Sequence, residues 1–236
     1  MVKNELNQRS PIRVLEKSIH GGLGRGNLGV FASKKGVGKT ACLAHVALDC
    51  LLRGEKVLHV SFSDNPSHIE SWYEHVFQEL AATFRLEDVR DVHDEIVSNR
   101  LILHFRQSDR TLQQVRTHMD TVTAGSGFTP ALIIVDGFSF AAATDADWAL
   151  WKEIADARGV EIWFSASLPP GEIVTDDSGI PAPVAAGKKY FSVIIQLHPM
   201  QDHIDLKLLK DRDSADLEKL RLKLDPRTLL IANHRA

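Results

Sequence analysis

Two cysteines in 236 residues, Cys42 and Cys50, are too few for a disulfide framework. On one helix, eight positions apart, they would sit about 12 Å from each other, beyond bridging distance. They read as small core residues of a reducing compartment. No apolar stretch approaches the 18 residues of a membrane span, and the first residues hold no signal-type apolar region, so the chain is expected to be cytoplasmic and free of the membrane. Basic excess is missing too. With a net charge of −3, no global field draws the protein to nucleic acid or anionic lipid. Eleven histidines are present, but none stands in a zinc-binding spacing, and scattered histidines explain them better. Internal repeats and low-complexity tracts are also absent. Hydrophobic content of 44% and charge of 25% leave an ordinary globular chain, long enough for one large α/β domain.

What is present is a phosphate-binding pattern. The run Ser33-Lys34-Lys35-Gly36-Val37-Gly38-Lys39-Thr40 follows an apolar strand-like segment, Leu28 to Ala32, and opens a helix-like segment, Ala41 to Arg53. Strand, Gly-rich turn and helix in that order are the context this motif requires. Small residues let backbone N–H groups curl around a phosphate, and the first helical turn adds unpaired donors and a positive dipole end. Lys39 would reach the β- and γ-phosphates and Thr40 would ligate Mg²⁺. Residues 33–41 are therefore the expected ATP cradle. The pattern asks for Gly where Ser33 stands. The nearby Gly24-Arg25-Gly26 precedes its strand rather than following one, so a dinucleotide fingerprint is rejected.

Residues 1–19 read as a polar, loose start followed by a short helix from Pro11, and residues 20–236 as a single nucleotide-binding domain. Strand-like runs at 56–62, 101–105, 131–136 and 160–166 alternate with helical segments at 66–84, 87–98, 110–124 and 145–157. This alternation argues for a parallel sheet with right-handed crossovers. The stripe Ile69, Trp72, Tyr73, Val76, Phe77 and Leu80 reads as core. Residues 168–189, with four prolines, read as a flexible loop. The tightly spaced runs that follow, at 190–197, 204–209, 220–224 and 229–231, suit antiparallel additions.

The apolar run Ala131 to Val135 closes on Asp136. With the phosphate loop upstream, that acid is expected to hold Mg²⁺ together with Thr40, although capping the next turn is the plainer role. Asp64, just past the second strand, is the candidate to activate water. It equally suits a cap for the helix beginning at Pro66.

Taken together these residues resemble the RecA-type P-loop ATPases, and within them the KaiC and DnaB-helicase branch. The approach segment Gly21 to Leu28, the strand 56–62 followed by an acid, Lys210-Asp211-Arg212, and Leu224 to Leu229 are similar to that branch in order, across roughly residues 20–231. The resemblance implies a RecA-like fold: a mostly parallel sheet flanked by helices, with antiparallel C-terminal strands. It also implies that Asp64 takes the water-activating place usually held by Glu, and that Ser167 stands where a polar residue senses the γ-phosphate. Lys210 and Arg212 would reach the nucleotide of an adjacent subunit in a ring or filament. Lys34 also resembles the extra lysine of the ParA and MinD partitioning ATPases, which form sandwich dimers. The implied activity is Mg-dependent ATP hydrolysis in a homo-oligomer acting on an unidentified protein partner. A weakly hydrolysing nucleotide-dependent scaffold is the alternative, suggested by Ser33, Asp64 and Ser167. DNA handling is disfavoured, because Lys188 and Lys189 are outweighed by Glu172, Asp176 and Asp177 in the 168–189 loop.

Overall fold

A computed structural model describes residues 2–63, 65–86, 89–106, 111–214, 217 and 219–233. Nine strands form one sheet in the order β3-β2-β4-β5-β1-β6-β7-β8-β9. They are β1 (Leu28–Lys34), β2 (Val57–Ser61), β3 (Arg100–His104), β4 (Leu132–Asp136), β5 (Glu161–Leu168), β6 (Phe191–Pro199), β7 (Ile204–Asp211), β8 (Leu222–Leu224) and β9 (Ile231–Asn233). The first six run parallel, and β7, β8 and β9 add antiparallel. The hairpin expected at 190–197 therefore begins one strand later. β6 pairs parallel with β1, because residues 168–189 carry the chain back to the start of the sheet.

The helices are α1 (Val2–Gln8), α2 (Ile12–Ser18), α3 (Lys39–Leu52), α4 (Pro66–Thr83), α5 (Arg90–Ser98), α6 (Leu112–Ser126), α7 (Asp145–Arg158) and α8 (Ala182–Ala185). They cover both faces of the sheet. On one side α1 to α5 and the C-terminal strands pack with Phe31, Ile134, Trp163 and Ile195. On the other, α6, α7 and α8 pack with Val30, Ala32, Ile133, Val135 and Phe164. Alternate residues of β1 and β4 enter opposite cores, which is why both strands read as unbroken apolar runs. The α4 stripe is core as expected: Ile69, Tyr73, Val76, Phe77 and Leu80 are buried, with Trp72 half-buried.

Two segments are more ordered than their composition suggests. Residues 2–8, read as loose, form α1 and bury Leu6. Residues 168–189, read as a flexible loop, are built on an Asx turn. Asp176 Oδ1 accepts from the N–H groups of Ser178 and Ile180 at 2.9 and 3.0 Å, and Oδ2 accepts from Lys188 Nζ at 2.6 Å. Pro181 precedes α8, and Ile180 and Val184 are buried. Side-chain acceptors and proline-fixed dihedrals hold this loop where no sheet ladder can. No helix among the described residues is long and apolar enough to cross a membrane.

Candidate nucleotide site

β1 delivers its C-terminal end straight into the phosphate loop, and the loop into α3. Gly36 and Gly38 adopt φ of +81° and +105°, a region that side chains rarely enter. Ser33 and Lys35 are not in that region, so replacing glycine there adds no backbone strain. Gly38 stands at the N-cap of α3 without any side-chain cap, leaving first-turn N–H groups for an anion. A Cβ at Gly38 would also press on Leu224 Cδ2 of β8, so that side chain would have to move aside.

Lys39 is buried. Its Nζ donates to Lys34 O at 2.9 Å, to Ser33 O at 3.1 Å and to Ser33 Oγ at 3.5 Å. Burial lowers its pKa, against the opposing pull of Asp136. A desolvated ammonium bonded mainly to carbonyl oxygens gains strongly when an anion arrives. Lys34, Lys35 and Gly36 are exposed, Val37 and Gly38 half-buried, and Ala41 is fully buried under the loop.

Sheet order then brings in residues distant in sequence. β5 lies between β1 and β4, yet Thr40 Oγ1 reaches past it to donate to Asp136 Oδ2 at 2.9 Å. Ser165 of β5 donates through Oγ to Asp136 Oδ1, and accepts from Gly137 N–H at 3.1 Å. Asp136 thus faces Thr40 and Ser165 rather than capping its own turn. A hydroxyl beside a carboxylate is the hard-oxygen donor pair that suits Mg²⁺. Ser165 was not singled out from sequence. The signal lay in Ser165-Ala166-Ser167, because strand periodicity puts both serines on one face. Ser167 is exposed, paired in register with Ser33 beside the loop.

Asp64 lies outside the described residues. The helix cap considered for it is supplied by Asn65, whose Oδ1 accepts from His68 N–H at 3.0 Å.

Lys210 and Arg212 lie at the opposite end of the sheet. Asp211 pairs with Val193, which pairs with Gly29, four residues before Ser33 along β1 and about 13 Å from it. Lys210 Nζ donates to Lys188 O at 2.8 Å, and burial lowers its pKa. Arg212, at φ +51°, donates to the carbonyls of Ile19 (2.9 Å), Gly22 (2.6 Å) and Leu23 (3.3 Å), and to Asp211 Oδ1 (2.7 Å).

A phosphate loop, an acid across an intervening strand and a parallel α/β sheet coincide with one further finding: the profile of the AAA domain family matches residues 3–149. The chain belongs to that family. The match covers the phosphate loop and Asp136 and ends before β5. It makes the protein an AAA-type P-loop ATPase domain in general terms, with a nucleotide as the expected ligand. No curated protein matches the chain.

Proposed function

We propose that this AAA domain binds ATP with Mg²⁺ at residues 33–41 and hydrolyses it in a homo-oligomer, the site being completed in trans by Lys210 and Arg212 of a second copy. The observation that carries the binding half is the Thr40–Asp136 hydrogen bond beside a buried Lys39. Thr40 and Asp136 would hold Mg²⁺, which would offset the phosphate charge there. The buried ammonium of Lys39 exchanges loop carbonyls for phosphate oxygens, and Ser165 keeps the Asp136 carboxylate aimed at Thr40. Ser167 is assigned the γ-phosphate contact and Asp64 the attacking water.

The trans half rests on distance. Lys210 and Arg212 lie at the far end of the sheet from their own phosphate loop, so a nucleotide they contacted would belong to another copy. Arg212 must first leave three backbone carbonyls, so an isolated chain should turn over slowly. A cation of this kind can contribute about 10³–10⁵ in rate. DNA handling is not favoured, since Lys188 pairs with Asp176 and Lys189 with Asp145, each at 2.6 Å.

Phosphate release by mixed variants tests the proposal. Lys39→Ala and Arg212→Ala should each be inactive, and mixing them should restore activity, because one supplies the loop and the other the cation. No recovery on mixing defeats the trans proposal, and full activity of Lys39→Ala defeats the whole reading.

A further inference from the structure

At the base of the sheet, away from the phosphate loop, lies a cavity of about 200 Å³. It is lined by Leu15 and Glu16 of α2, Asp49 of α3, and Glu161 and Trp163 of β5, among others. Asp49 has only 1% of its side chain exposed; its Oδ2 accepts from both Arg13 and Arg53. Its Oδ1 is buried and has no hydrogen-bond partner among the described residues. A buried charged acceptor left unpaired is costly, so this oxygen calls for a donor.

The charge of the lining specifies the donor. Four carboxylates, from Glu16, Asp49, Glu55 and Glu161, meet three guanidiniums: Arg25 and Arg53 in the lining, and Arg13, which pairs with Asp49 and Glu16 from behind it. Burial raises the pKa of Glu16 and of Glu161, against the lowering pull of the nearby arginines. Water could bond Oδ1 but would leave that excess in place. A metal is not indicated, because no three His, Cys, Asp or Glu side chains gather as ligands among the described residues. The remaining wall is apolar, with Leu15, Leu23 and Trp163.

We propose that this cavity binds a compact organic cation, an ammonium or guanidinium on a short aliphatic stem. Asp49 Oδ1 and Glu161 accept from the head group, and Leu15 and Trp163 cover the stem. The inference does not depend on the nucleotide reading.

Thermal melts of the full chain at fixed ionic strength test it, with propylguanidinium and butylammonium as probes and propylurea and butanol as uncharged counterparts. Both cations should raise Tm and the uncharged pair should not. Glu161→Gln keeps the shape of its side chain and should weaken the response about tenfold, the loss of one charge-assisted hydrogen bond. Lys39→Ala should respond like the wild type. Three results would each overturn the proposal: no cation shift, which leaves water as the only occupant; an equal shift from the uncharged compounds; or an undiminished response in Glu161→Gln.

Discussion

At the C-terminal ends of the parallel strands, a contiguous loop is joined by a few side chains from neighbouring strands, Asp136 and Ser165. Residues 33–41 form the proposed cradle, and the left-handed Gly36 and Gly38 shape it. At the N-terminal ends the groups are charged side chains gathered from far apart in the sequence. Glu16, Asp49, Arg53 and Glu161 line a cavity there, with Arg13 paired to Asp49 behind it, and His20, Asp211 and Arg212 fasten the approach turn. The first end depends on backbone conformation and tolerates changes that respect it, as Ser33 shows. The second depends on charge balance, where removing one member strands its partners.

Asp49→Ala should give the largest stability effect, a loss of about 3–5 kcal/mol, because Arg13 and Arg53 lose a buried counterion. Urea unfolding measures the loss, and nucleotide affinity per folded molecule should survive. An affinity that falls in step with stability would mean that the two ends are not separable. Gly38→Ala makes the complementary cut. At φ +105° and against Leu224, an added Cβ should cost about 1–3 kcal/mol and weaken nucleotide binding while sparing the cation response at the base. Wild-type stability with wild-type nucleotide affinity in this variant would contradict the geometry given for the loop.

A pH-dependent effect belongs to the layer between the ends. Burial pushes His45 and His59 down to about 4, although the Leu229 carbonyl, 3.1 Å from His45 Nε2, favours a proton there. Both folded values lie below the unfolded value of 6.5, so the denatured chain takes up protons first. Stability should be full above that value and fall as pH drops toward 4, by about 1.4 kcal/mol per pH unit for each histidine. Urea midpoints compared between about pH 7 and pH 5 check this, and a flat profile would contradict it.

This contrast also explains what could be read from the sequence. The phosphate loop, its strand and its helix were legible because they adjoin. Asp136 was legible because a buried strand ending in an acid is conspicuous. Ser165 was missed because its partner is 29 residues away across a strand pairing that no local pattern encodes. The direction of β6 was missed for the same reason, since spacing suggested a hairpin while the 168–189 segment permits a return crossing. The base cavity left no local trace. Arg13, Asp49 and Glu161 come together only once α2 lies over α3 and the N-terminal end of β5. The helix at residues 2–8 was hidden by a polar composition in which Leu6 alone is buried among the side chains described there.

The central claim is that the loop end of the sheet holds a magnesium nucleotide through Lys39 and its neighbours. Calorimetric titration of ATP with Mg²⁺ into the wild type and Lys39→Ala tests it most directly. The account predicts one nucleotide per chain, with affinity falling about 30-fold or more in the variant, as for loss of one member of a buried charge pair. Equal affinity in the two proteins, or no binding by the wild type, would contradict it.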